Sequence, residues 1–243
     1  MTRNLLILAV AAALIHLAVR HAGFDWLALA SKPVPVLCLA LIVWREEVWR
    51  ASPALTSAAT SAPARRWLVA GLLFSALGDV ILALPAALSG ALGASAGASF
   101  GQSSFMAGLG AFLVAHLCYV AWFLALDRRW RLARLVGPLI YAGILLVILW
   151  PHLGPMLAPV LAYAVVITLM LWRALAAAQG NGVAILQSSA AWGAILFVLS
   201  DSLIALNRFV DPLPMATLLI MLTYWAGQCG IFLTHRRFSP RGA

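Results

Sequence analysis

The sequence predicts an all-α, polytopic integral membrane protein of about eight transmembrane helices, with the N and C termini both cytoplasmic. Three observations carry this reading. The 243 residues are 64% hydrophobic and only 9% charged, a balance that suits hydrocarbon better than water. The apolar residues fall in long unbroken runs, not in short alternating ones, which selects helices over a closed barrel as the way to satisfy the backbone inside a bilayer. The basic residues alternate between crowded and sparse connections along the chain, as topology demands.

A crossing needs about 20 mostly apolar residues. Eight runs qualify, at about 4–20, 33–49, 67–85, 105–126, 135–151, 155–173, 186–207 and 214–234, and together they make a single transmembrane domain over residues 1–243. The first run follows Arg3 as a secretory signal would, but no small-residue cleavage site follows it, so it is read as a retained helix. Pro33, Pro155 and Pro214 suit first turns. Pro138 and Pro159 lie deeper and are expected to bend their helices. Residues 51–64, rich in Ala, Ser, Thr and Pro, read as a flexible cytoplasmic loop. Residues 86–104, rich in Gly, Ala and Ser and uncharged, read as an outer connector, or as a mobile lid over a site near the outer surface.

Orientation follows from the loops. Thirteen basic residues, among them Arg45, Arg50, Arg65, Arg66, Arg128, Arg129 and Arg173, fall on one side, and only Arg20, Lys32 and Arg208 on the other. The crowded side is assigned to the cytoplasm of a cell (inner) membrane. This distribution also accounts for the net charge of +9 without a nucleic-acid partner. Cys38, Cys118 and Cys229 all lie inside apolar runs, unpaired in spacing, and read as packing residues. The Phe74–Asp79 and Phe197–Asp201 segments share an Asp after a small residue and Ala-Leu four and five positions on. That is the pattern expected of two parallel four-helix halves, although a Leu/Ala-rich sequence also produces it by chance.

An ionisable group inside a membrane helix points to function because its burial is costly. Asp25, Glu46, Glu47, Asp127 and Asp211 fall in loops or at helix ends, whereas Asp79 and Asp201 do not. Asp79 lies about 18 Å and Asp201 about 22 Å from the cytoplasmic start of its span at 1.5 Å per residue, so the two are expected at similar depth across a shared cavity. His116 is read as the one histidine well inside a span, on a helical face with Phe112, Tyr119 and Phe123. Tyr224 and Gln228 lie at comparable depth on the last span, and Ser75 is one turn before Asp79. Lys32 and Arg208 are placed at the outer rim. With no cation expected inside the spans, one carboxyl is read as neutral beside an ionised partner, the arrangement of acid–base chemistry. The alternative reading makes the His, Tyr and Ser side chains interhelical hydrogen-bonding groups. The chain lacks the histidines of a three-histidine zinc site, a G-x-S-x-G elbow and a phosphate-cradling glycine loop. No metal or cofactor is called for. The glycines at 108, 110, 227 and 230 read as helix-packing residues.

In these residues the sequence resembles the lysoplasmalogenase-like membrane proteins, the YhhN family. The resemblance is carried by Lys32-Pro33, Phe74…Gly78-Asp79, and Phe105, Gly108, Phe112, Ala115-His116, Tyr119 and Phe123. Tyr163, Gly193-Ala194…Phe197…Ser200-Asp201, Asn207-Arg208-Phe209, Tyr224 and Gln228 complete it. It extends from residue 32 across nearly the whole chain; the 86–104 segment departs from the family pattern. The resemblance implies hydrolysis of the vinyl ether of a lysoplasmalogen to a fatty aldehyde and a glycerophospho-alcohol, a lysophospholipid substrate, and Asp79 and Asp201 as the catalytic pair.

The chemistry of the residues agrees with that expectation. Protonation of a vinyl ether carbon gives an oxocarbenium ion, which glycosidases manage with two carboxyls. His116, Tyr119, Tyr224 and Gln228 would orient water and the ether oxygen, Lys32 and Arg208 would attract phosphate, and the face around Phe112 and Phe123 would take the hydrocarbon chain. Two other classes fit the same residues. A proton-coupled carrier also uses intramembrane carboxyls with a histidine, and a structural protein would use them only to lock helices together.

Overall fold

The computed structural model describes residues 1–50, 62–180 and 188–237. Most of the loop expected at 51–64 therefore lies outside the described residues, as does Arg241. Among the described residues the chain is helical and contains no strand. The helices are α1 (Thr2–His21), α2 (Asp25–Ser31), α3 (Val34–Arg50), α4 (Ala62–Leu92), α5 (Ala94–Leu126), α6 (Val136–Leu153), α7 (Leu157–Gly180), α8 (Ser189–Phe209) and α9 (Ala216–Arg237). Short 3-10 turns at Leu132–Arg134 and Gly154–Met156 precede α6 and α7.

Seven stretches of the described residues are long and apolar enough to cross a membrane. The longest, Leu132–Ala178, contains both α6 and α7. It breaks at Gly154, whose φ of 47° favours a residue without a Cβ. Pro155 follows within the 3-10 turn, as a starting proline should. The chain is thus a multi-pass helical membrane protein.

Two expectations are corrected. The 86–104 segment is not a slack connector: α4 continues through Pro85 to Leu92, and α5 begins at Ala94. Alanine is the strongest helix former, and the single interruption falls at Gly93, with φ of 94°. The connection after α1 is likewise not all loop. Asp25, in the first turn of α2, pairs with Arg20 near the end of α1, and the carboxylate complements the helix N-terminus.

The chain divides into two compact units, Met1–Cys118 and Tyr119–Ala243. In the N-terminal unit α3 packs on α1 and α4, and α2 touches both α1 and α4. The close approach of α4 and α5 depends on glycine: a Cβ on Gly78 would lie 2.6 Å from the Phe112 ring, and one on Gly108 would lie 2.5 Å from Leu82.

In the C-terminal unit α8 and α9 form the most extensive helix pair, while α7 packs on α8 and α6 on both α7 and α8. The α8–α9 backbones meet at Gly193 and Gly230, where a Cβ on Gly230 would stand 2.5 Å from the Gly193 Cα. Lipid tails are as apolar as the helices, so such close packing supplies the attraction that hydrophobicity cannot. Toward the C-terminal end of α7, buried Arg173 donates to the carbonyls of Asp127 and Arg129, and the Trp172 indole donates to the Arg131 carbonyl at 3.0 Å. Arg173 is therefore more than a topology marker; it ties the α5–α6 turn to α7.

Candidate active site

In the N-terminal unit the site residues come from the start of α3, the middle of α4 and the middle of α5. Lys32 lies at the junction of α2 and α3, where Pro33 follows it. Its Nζ stands 3.6 Å from Oδ1 of Asp79 on α4, with the lysine side chain 16% and the aspartate 2% exposed. A cation therefore does accompany Asp79, contrary to the expectation that none would. Lys32 is not a free rim charge, and its ion pair offsets the cost of holding a carboxylate at this depth. Ser75 is fully buried one turn earlier on α4.

His116 is also fully buried, and its Nδ1 donates to the Phe112 carbonyl at 2.6 Å. Because a carbonyl only accepts, the proton sits on Nδ1, and a neutral ring presents Nε2 as an acceptor. Phe112 is buried with its ring over Gly78. Its place is that of a packing residue, not of an open wall for a hydrocarbon chain. His116 is not the only buried histidine in a span: His16 of α1 bonds the Ala28 carbonyl at 2.9 Å, tying α1 to α2.

In the C-terminal unit two clusters form. Tyr119 donates to Gln228 Oε1 at 2.7 Å, both side chains being buried. The Phe197 ring stands edge-on between Tyr119 and Tyr224, at 6.2 and 5.4 Å. Phe123, one turn along α5, is fully buried, and Ser200 donates to the Ile220 carbonyl at 3.1 Å. These residues join α5, α8 and α9.

The second cluster is centred on Asp201. Tyr163 of α7 donates to its Oδ2, and both side chains line a cleft between α6, α7 and α8. Tyr141 of α6 lines it too, and donates to Ser202 at 2.8 Å. Tyr141 and Ser202 were not singled out in the sequence, where each is a hydroxyl inside an apolar span. Two expected site residues sit apart from both clusters. Asn207 accepts from the Leu213 N–H at 2.9 Å and closes the α8–α9 turn, and Arg208 is exposed in the last turn of α8.

The fold and these groups define a multi-pass helical membrane protein with carboxyls, tyrosines and a histidine held inside its spans. Residues 27–235 match the YhhN family, and the chain belongs to that family. Human lysoplasmalogenase TMEM86B is 38% identical over 217 residues, covering 88% of this chain and 77% of its own length. Human lysoplasmalogenase TMEM86A is 30% identical over 217 residues, covering 86% and 78%. A Mycobacterium tuberculosis (strain CDC 1551 / Oshkosh) lysoplasmalogenase is 38% identical over 153 residues, covering 60% of this chain and 51% of its own. No solved structure matches the chain.

Proposed function

We infer that this chain is a membrane-embedded lysoplasmalogenase, which hydrolyses the vinyl ether of a lysoplasmalogen to a fatty aldehyde and a glycerophospho-alcohol. The observation that carries this is its likeness, over nearly nine-tenths of its length, to a human protein named lysoplasmalogenase. The buried carboxyls give the activity a chemical basis. A proton adds to the alkene carbon β to the ether oxygen, leaving an oxocarbenium ion. Water adds to that ion and loses a proton, and the hemiacetal collapses to aldehyde and alcohol.

Asp201 is assigned as the proton donor. Tyr163, which donates to its Oδ2, holds the carboxyl in place. Asp79 is assigned as the ionised carboxyl, a state supported by Lys32 beside it, and it stabilises the cation or accepts the proton of the attacking water. His116, Tyr119, Tyr224 and Gln228 are assigned to ordering water and the ether oxygen. Arg208, exposed near the end of α8, is assigned to the phosphate. The crossing count of eight, with both termini cytoplasmic in the inner membrane, rests on the separation of α6 from α7 and on the uneven division of the basic residues.

The test is aldehyde release from a lysoplasmalogen by protein purified in mild detergent, alongside Asp79→Asn and Asp201→Asn. Loss of a positioned acid or base costs about 10²–10⁴ in rate, so both folded variants are expected to fall by at least the lower figure. A folded variant that keeps its rate removes that carboxyl from the mechanism, and a folded wild type that releases no aldehyde removes the substrate.

A further inference from the structure

The cleft between α6, α7 and α8 has mostly apolar walls, with the Asp201–Tyr163 pair set among them. On α7 it is lined at Val160, Tyr163, Ile167 and Leu171, a single stripe of the helix. Leucines of α6 and Val198 of α8 supply the facing walls. The polar side chains on these walls are engaged in hydrogen bonds. Thr168 donates to the Ala164 carbonyl of its own helix at 2.6 Å. Ser202 donates to the Val198 carbonyl at 2.7 Å and accepts from Tyr141. What remains is the Asp201–Tyr163 pair, beside which the stripe runs on past Ile167 to Leu171, about 12 Å along α7 at 1.5 Å per residue.

A space walled by hydrocarbon, with a carboxyl at one place on its wall, fits a molecule in which an acid-labile bond joins a hydrocarbon chain to a polar head. We propose that this cleft holds the alkenyl chain of the substrate, with the vinyl ether against Asp201 and Tyr163, and that Ala142 and Leu171 set the chain length accepted. Ala142 is a small residue on the α6 wall, and Leu171 closes the α7 stripe at its C-terminal end. The inference rests on the lysoplasmalogenase reading for the identity of the chain's head. It moves the chain away from Phe112 and Phe123, whose rings are buried in packing.

Two measurements test it. The first compares kcat/KM across lysoplasmalogens of graded chain length for the wild type, Ala142→Phe and Leu171→Ala. A methylene more or less in an apolar pocket is worth about tenfold or more. The long-to-short ratio is therefore expected to fall at least tenfold in Ala142→Phe and to rise in Leu171→Ala. An unchanged ratio in both, with a wild type that cleaves, overturns the cleft assignment and leaves the activity intact.

The second is independent of turnover and of variant folding. A saturated-ether lysophospholipid with a photoreactive group at its chain end is cross-linked to wild-type protein, with and without excess unlabelled lysophospholipid. Labelling of residues between 138 and 171 that the competitor displaces supports the proposal. Labelling elsewhere, or labelling that a diacyl phospholipid displaces equally well, marks the cleft as a resting place for ordinary bilayer lipid and overturns it. Displaceable labelling with no aldehyde release from the wild type counts against the lysoplasmalogenase reading and for the cleft.

Discussion

Lys32 and Asp79 bound what single residues do here. Removing the cation leaves a nearly fully buried carboxylate without its partner, which costs about 3 kcal/mol or more. Lys32→Met is therefore expected to lower the thermal midpoint in detergent, and adding Asp79→Asn to that variant to restore much of it. A midpoint that Lys32→Met leaves unmoved would show the pair to be loose.

Tyr163→Phe removes a hydrogen bond to Asp201 without opening the cleft. A hydrogen bond to a neutral acid is worth about 0.5–1.5 kcal/mol, so kcat is expected to drop by about 2–10-fold with the fold unchanged by circular dichroism. Asp79, Asp201, His116, Tyr119 and Gln228 stood out in the sequence as polar groups in apolar runs, but the bond between Tyr119 and Gln228 did not. The Lys32–Asp79 pairing was not legible. It joins residues far apart in sequence, and the flexible stem of a lysine at a helix start lets its head reach the Asp79 carboxyl on α4. Asn207 was legible as a polar residue, but its use as a cap on the α8–α9 turn is a backbone fact.

Among the elements, α8 and α9 make the strongest demand on sequence. Gly230→Ala puts a methyl group 2.5 Å from the Gly193 Cα, and backbone there has no rotamer with which to yield. Overpacking of this kind costs about 1–3 kcal/mol. The variant is expected to shift to a lower midpoint by fluorescence-detected size exclusion, whereas Gly143→Ala on α6, where an added Cβ meets nothing within 4 Å, is expected to leave it unchanged. Equal midpoints would mean that the α8–α9 contact is not tight.

Arg173→Met is expected to loosen the α5–α6 turn, read as faster amide exchange at residues 127–131. Removing the guanidinium leaves the carbonyls of Asp127 and Arg129 without their donor. The long helices were legible from apolar run length, and the prolines marked their starts at α3, α7 and α9. The helical 86–104 segment was missed because Gly, Ala and Ser together read as linker. Alanine alone favours helix, and one glycine at 93 supplies the whole interruption. The short α2 was missed because seven residues are too few to show a period.

At the scale of the molecule, the class and family were legible because hydropathy, charge asymmetry and ordered short motifs extend over the entire chain. The cleft was not, since it arises from stripes on three helices whose individual residues look like ordinary span composition. The central claim is that this membrane protein opens a vinyl ether by protonating carbon. The most direct measurement is kcat/KM for a lysoplasmalogen in H₂O and in D₂O at matched acidity. Slow proton transfer to carbon predicts a lower value in D₂O for the wild type, because the transferred proton is then a deuteron. Equal values in the two solvents would mean that protonation of carbon does not limit bond breaking, and the roles assigned to Asp79 and Asp201 would fall with it.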